Sequence, residues 1–196
     1  MSQANLPGFF IPGGCMDRQK IMGGVKAILE GVGEDLQREG LRDTPRRVAE
    51  MLEEILSGTS QTPLLEAGIS EEVADDLIVV RDIPFYSICE HHLLPFFGKV
   101  HLAYIPRQNK ISGFSAIARL VDSFSRRLQI QERLTRQIAN SLMLSLDPRG
   151  VLVIIEAQQL CVSMRGTKKD SVRTVTRASR GEISADCLSL LGFKTS

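Results

Sequence analysis

The sequence lacks tryptophan and has only two tyrosines and three histidines among its 196 residues. It also lacks an apolar run approaching the ~18 residues that a membrane-spanning helix needs. Its first residues, MSQANLPGFFIPGG, do not have the basic start and long apolar core of a secretory signal. The net charge is +1, so there is no excess of the positive charge that binding to nucleic acid or an anionic membrane uses. These absences predict a cytoplasmic protein that binds neither nucleic acid nor membrane.

Cysteine is scarce as well, and its scarcity bears on the redox state. The four cysteines are Cys15, Cys89, Cys161 and Cys187. In a reducing compartment, free thiols or metal ligands are expected rather than disulfides. Cys15 and Cys187 occur in the terminal segments and receive no predicted role.

The order of the predicted elements indicates an α+β protein. Residues 1–16 are predicted to form an irregular arm, residues 17–76 an N-terminal helical region and residues 77–196 the catalytic region. Apolar periodicity predicts helices over 17–36, 42–58, 115–128, 131–146 and 184–193. Alternating or β-branched runs predict strands over 77–83, 98–105, 149–157, 160–166 and 171–178. Such an order predicts an antiparallel sheet with a helix pair on one face.

The segment SICEHHLLPF, residues 87–96, contains the clearest chemical signal. Cys89 and His92 have the C-x-x-H spacing with which two side chains grip one ion, and Cys161 is the third candidate ligand. Two thiolates and one imidazole would form a zinc site whose fourth position is open to water, as in catalytic zinc sites. From spacing alone, the alternative remains that Cys161 is a buried apolar thiol.

Three segments carry a resemblance to a known family. SICEHHLLPFFGKVHLAYIP, SRRLQIQERLTRQIA and CVSMRG closely resemble GTP cyclohydrolase I, and the resemblance runs from about residue 17 to residue 181. It implies a tunnelling fold and a ring-shaped decamer of two facing pentamers, with sites at subunit interfaces. It also implies zinc as the cofactor, bound by Cys89, His92 and Cys161.

The resemblance further places His91 beside the substrate. Adjacent residues on an extended segment point to opposite faces, so we expect His92 to bind the metal while His91 remains free for proton transfer. Glu90, between them and Cys89, is expected to have a supporting or structural role and is left out of the site.

The resemblance also implies a pocket for the nucleotide. Guanine presents adjacent N–H donors that a carboxylate accepts in pairs, and Glu132 matches the glutamate that reads them, with the amide of Gln131 beside it. A triphosphate needs several cations and donors. The residues matching that role are Arg47, Ser115, Arg119 and Arg165.

The implied reaction is the hydrolysis of GTP. Zinc-activated water adds to C8, the imidazole ring opens to a formamide, and a second hydrolysis releases formate. The ribose then rearranges and closes to 7,8-dihydroneopterin triphosphate, a product for folate or another pterin pathway. No redox cofactor is required.

Two positions depart from the family pattern. Gln159 stands where the family usually has a histidine, and an amide cannot exchange a proton near neutral pH. Ala116 stands where a lysine is usual, so one phosphate-facing cation is missing. Three interpretations therefore remain open: a full GTP cyclohydrolase I, a divergent paralogue that stops at the formamide or uses another guanine nucleotide, and a non-catalytic zinc-bound structural or regulatory protein.

Overall fold

The computed structural model describes residues 16–60, 65–69, 76–183 and 187–193. The predicted irregular arm, residues 1–16, lies outside the described residues apart from Met16, and so does Cys15. Among the described residues, no helix has the length and apolar character needed to cross a bilayer.

Two helices precede the sheet. Helix α1, Arg18–Gly31, begins where the side chain of Asp17 accepts a hydrogen bond from the backbone N–H of Lys20 at 3.0 Å. The prediction that this helix continues to about Leu36 is wrong, because Gly33 adopts a φ of 84° just beyond the helix end. A left-handed glycine is a common way for a helix to terminate.

Helix α2, Thr44–Ile55, forms as expected, with a proline in its first turn. Its buried residues are Pro45 and Ala49, while Met51 is 46% exposed. A short 3-10 helix follows at Ser57–Ser60. The helix pair α1 and α2 therefore buries little apolar surface in the single chain.

A five-stranded sheet forms the centre of the chain. Its spatial order is Leu128–Gln129 (β5), Ile78–Cys89 (β2), Pro95–Ile105 (β3), Gly150–Gln159 (β6) and Thr174–Gly181 (β7). The neighbours are antiparallel except that the short β5 runs parallel to β2. A separate two-stranded sheet joins Gly68–Ile69 (β1) and Lys110–Ile111 (β4).

The main core lies between one face of this sheet and a helix pair. Helices α3, Phe114–Ser125, and α4, Gln131–Leu146, bury Phe124, Leu134 and Ile138 against β2, β3 and β6. On the opposite face, the short helix α6, Cys187–Leu190, packs on Leu152 and Ile154. The predicted α+β tunnelling fold, with an antiparallel sheet and a helix pair on one face, is confirmed.

One predicted strand is wrong. Residues 160–166 do not continue as a strand, because Leu160–Ser163 form a single helical turn, α5, immediately after β6. The run LCVS is too short for periodicity to separate strand from helix. Cys161 therefore lies on a turn beside the sheet end.

Candidate functional site

Three predicted metal ligands lie together. Among the described residues, the ligand atoms of Cys89, His92 and Cys161 are all within 4.8 Å of one another. Ligands of one zinc ion, with bonds of about 2.0–2.3 Å, must lie roughly 4 Å apart, so the spacing fits. The donor set, with two sulfurs and one imidazole nitrogen, also fits zinc.

The sheet register explains how residues so far apart in sequence meet. Pro95 at the start of β3 pairs with Ile88 of β2, and Phe96 pairs with Gln159 of β6. The ends of β2 and β6 therefore flank the beginning of β3. Cys89 is the last residue of β2, and Cys161 follows Gln159 by two residues.

The two histidines lie on a tight turn, so the expectation of an extended segment is wrong. Cys89 N–H donates to the Leu94 carbonyl and Leu93 N–H to the Cys89 carbonyl, both at 2.9 Å. Leu93 adopts a left-handed φ of 54° to close this turn. The rings of His91 and His92 are 6.4 Å apart and inclined at 79°, and both histidines are exposed.

The thiols differ in their surroundings. Cys89 is 5% exposed, whereas Cys161 is half-buried. Burial raises the pKa of the Cys161 thiol, and the nearby Cys89 sulfur raises it further, while the charge of Arg165 lowers it. Nδ1 of His91 lies 3.8 Å from Sγ of Cys89. The predicted residues Arg165 and His91 are thus brought to the cysteine pair.

Glu90 is held by an ion pair that was not predicted. Nη1 of Arg133 donates to Oε2 of Glu90 at 2.5 Å, and Nη2 donates to Oε1 at 3.0 Å. The hydrogen bonds from Arg133 lower the pKa of the Glu90 carboxyl, and the charges of Arg133 and His91 add to that effect. A signal for Arg133 existed in the sequence, since a cation in the first turn of a helix opposes the helix dipole.

Gln131 and Glu132 begin helix α4 and face different surroundings. Gln131 is 3% exposed, and its Nε2 donates to the carbonyls of Ile155 and Thr174 at 2.9 and 3.0 Å. Its Oε1 accepts from Thr174 Oγ1 at 2.6 Å and from Gln159 Nε2 at 2.9 Å. Glu132 is exposed at the helix start. Sequence reasoning missed Thr174, for which the pattern offered no signal.

The remaining predicted residues lie apart from the thiols in the single chain. Arg47 on α2 is exposed, with Nη2 3.6 Å from Oδ2 of Asp43 on its own helix start. Ser115 and Arg119 are exposed on α3. Within the described chain, no hydrogen bond or ion pair links these three residues to the cysteine–histidine group.

A cavity of about 410 Å³ lies elsewhere, between α2, β2 and α3. It is lined by residues that include Ile55, Phe85, Tyr86 and Arg126, and by none of the predicted site residues. We assign the chemistry to the sheet end, where the ligand atoms converge.

Comparison with known proteins gives a consistent result. The family model of GTP cyclohydrolase I matches residues 21–190. GTP cyclohydrolase 1 of Carboxydothermus hydrogenoformans is 50% identical in an alignment over 188 residues that covers 92% of this chain and 97% of that protein. GTP cyclohydrolase 1 of Pelotomaculum thermopropionicum is 54% identical over 167 residues, 84% of this chain and 88% of that protein.

Among solved structures, the archaeosine synthase QueF-Like in the apo form covers 57% of this chain and 99% of its own, with a TM-score of 0.47 and 18% identity. The family match and the two curated relatives each extend over most of the sequence. The family match, residues 21–190, includes both segments that bring the cysteine–histidine group together. The chain therefore belongs to the GTP cyclohydrolase I family.

Proposed function

We propose that this protein hydrolyses GTP at C8, opens the imidazole ring, releases formate and closes the new ring to give 7,8-dihydroneopterin triphosphate. The observation that carries the proposal is the group formed by Cys89, His92 and Cys161, whose ligand atoms lie within 4.8 Å of one another. Family membership and curated relatives named GTP cyclohydrolase 1 support the same activity.

We propose zinc as the ion that Cys89, His92 and Cys161 hold. When bound, it would supply Lewis-acid activation of a water molecule near neutral pH. Three protein ligands leave one position for that water or the substrate. The turn from Cys89 to Leu94 presents the ligands at the exposed end of the sheet.

Proton transfer is assigned to His91. Its ring is exposed and separate from the His92 ring, and an imidazole can both accept and donate a proton. Ring opening requires protons at the departing nitrogens, which a positioned histidine can deliver.

Recognition of guanine is assigned to Glu132, whose carboxylate can accept from N1–H and the 2-amino group together. Gln131 anchors the start of α4 to the sheet, because its amide donates hydrogen bonds to carbonyl groups of β6 and β7. The phosphates are assigned to Arg47, Ser115, Arg119 and Arg165, all of which are exposed.

We further propose a cytoplasmic homodecamer with sites completed between subunits. Support comes from the exposed phosphate-side residues on α2 and α3, which have no direct link to the ligand group within one chain. Support also comes from Tyr86 and Val175, which are 73% and 53% exposed on sheet strands. Light scattering that finds a monomer at micromolar concentration would contradict this assembly.

A second activity is favoured by one observation, the amide at Gln159 that is tied to Gln131. An enzyme without a proton-transferring group there could release the ring-opened formamide. Mass spectrometry of the products formed from GTP distinguishes the outcomes. Dihydroneopterin triphosphate with formate supports the proposal, the formamide alone supports the second activity, and unchanged GTP with zinc-loaded protein overturns both.

A further inference from the structure

Arg133 occupies a position that helix electrostatics disfavours. It is the third residue of α4, where unpaired backbone N–H groups carry partial positive charge. Placements that break a local rule are expected at functional sites. The cation is compensated by the carboxylate of Glu90, which belongs to the metal-binding turn.

The pair has the geometry of specific recognition. Two parallel hydrogen bonds of 2.5 and 3.0 Å join the Arg133 guanidinium to both oxygens of Glu90. The two side chains are only 34% and 32% exposed. A backbone hydrogen bond from Glu90 N–H to the Gln129 carbonyl, 3.1 Å, runs beside the pair. Both oxygens of the carboxylate are therefore directed to α4.

A released Glu90 would have another partner. It is the covalent neighbour of Cys89 and precedes His92 by two residues, and carboxylate oxygen is an ordinary zinc ligand. Yet the ligand group found among the described residues comprises Cys89, His92 and Cys161, without Glu90.

We propose that Arg133 is a positioning residue that withholds the Glu90 carboxylate from the metal and so keeps the fourth coordination position open. The inference rests on the proposed zinc site. It also gives Arg133 a second effect, because the same ion pair connects the metal-binding turn to the residue that follows Glu132. The Glu132 carboxylate, which is assigned to guanine recognition, and the metal ligands are thereby held at a fixed distance and orientation relative to each other.

The test uses the full-length protein loaded with Co²⁺, whose visible absorption bands shift when an added anion such as azide replaces water at an open coordination position. In Arg133→Met, Glu90 is expected to occupy that position, so the bands should already be shifted, azide should have no further effect, and turnover should fall by ~10- to 100-fold. The double variant Glu90→Gln with Arg133→Met is expected to regain the unmodified spectrum and its response to azide, because the amide is a poor ligand. Glu90→Gln alone should keep both.

Arg18→Met is the matched control, since Arg18 also forms a two-pronged pair, with Glu53, on α1 and α2. Its Co²⁺ spectrum should equal that of the unmodified protein. Identical spectra for Arg133→Met and the unmodified protein would overturn the inference and leave the zinc site standing. Failure of the unmodified protein to bind Co²⁺ would overturn the proposed function and this inference together.

Discussion

Nε2 of Gln159 donates a hydrogen bond to Oε1 of Gln131 at 2.9 Å, which ties the end of β6 to the start of α4. Gln131 is fully committed, because its amide also bonds to Thr174 and to the Ile155 carbonyl. The amide of Gln159 thus belongs to a partly buried network that lies two residues from Cys161, a proposed metal ligand. A side chain at position 159 is therefore placed to influence both Cys161 and the helix start that carries Glu132.

Replacement of Gln159 by histidine should raise pterin formation more than GTP consumption. An imidazole N–H can take over the hydrogen bond to Gln131, and the other ring nitrogen can carry a proton, whereas an amide cannot. A positioned acid or base typically contributes ~100- to 10,000-fold. Pterin fluorescence after oxidation and loss of GTP, followed in parallel, measure the two rates.

Gln158→His is the matched control for that experiment, because Gln158 lies on the opposite face of β6 and donates to the Asp170 carbonyl. Gln158→His should change neither the ratio of pterin formation to GTP consumption nor the identity of the products. Equal pterin rates in the unmodified protein and Gln159→His, without a detectable formamide, would show that another group or an ordered water carries the proton.

Cys161→Ser should lose most bound metal and all turnover, because serine does not supply an anionic ligand near pH 7 as cysteine does. Metal analysis of the purified variant checks this. Cys187→Ser is a suitable control, since Cys187 is 2% exposed in the smaller core and far along the chain. That control should lower stability but keep the metal. Full zinc content in Cys161→Ser would refute the ligand assignment.

Ala116→Lys should lower the Michaelis constant for GTP by roughly tenfold to a hundredfold, the equivalent of one charged hydrogen bond of ~1.5–3 kcal/mol. Ala116 is half-buried against the core, so the lysine must extend its ammonium group outward to solvent in order to meet the phosphates. Ala118→Lys places the same charge on a different side of α3 and should not improve binding. An unchanged Michaelis constant in Ala116→Lys would mean that the phosphates are held by other groups.

His101 should make the protein less stable in mild acid. Burial lowers its pKa from 6.5, and its Nδ1 accepts from Asp82 N–H at 3.3 Å. The charged groups that face it are Arg81, Asp82, Lys99 and Glu156. Below about pH 6.5 the unfolded chain binds the extra proton more readily than the folded chain, so the free energy of unfolding falls as the pH is lowered through this range.

His101→Gln keeps an acceptor and removes the titration, so its stability should change less between about pH 7.5 and about pH 5.5. Thermal unfolding at fixed protein concentration measures the difference. The pKa of Asp82 is lowered from 3.8 by the hydrogen bond from Lys99. The stability that this carboxylate contributes is therefore lost only at a lower pH than the range in which His101 titrates. Equal pH dependence in the two proteins would refute the role of His101.

Replacement of glycine by alanine should lower the stability of the protein at one position and raise it at another. A Cβ on Gly98 of β3 would overlap the Glu156 carbonyl of β6, so Gly98→Ala should lose ~1–3 kcal/mol of stability or more. Gly24 lies inside α1 with open space around it, so Gly24→Ala should gain up to ~1 kcal/mol. Urea unfolding of both variants tests the pair, and a stable Gly98→Ala would contradict the strand register.

Much of the local structure could be predicted from the sequence. Helix α4 has the expected bounds, 131–146, because its apolar spacing repeats over four turns and leaves no competing pattern. The proposed metal ligands are likewise predicted from residue type and the family motif, and the structure brings their ligand atoms within 4.8 Å of one another. By contrast, four residues after β6 are too few for periodicity, and the predicted strand there is a helical turn.

The sequence by itself determined which side chains are available for chemistry: two thiols, adjacent histidines and the Gln131–Glu132 pair at a helix start. Only the tertiary structure decided which of them meet. The register of β3 with β2 and β6 brings Cys89 beside Cys161, and the parallel pairing of β5 with β2 brings Arg133 to Glu90. Such contacts depend on strand pairing between distant segments, which is set by burial of the whole sheet and not by local propensity.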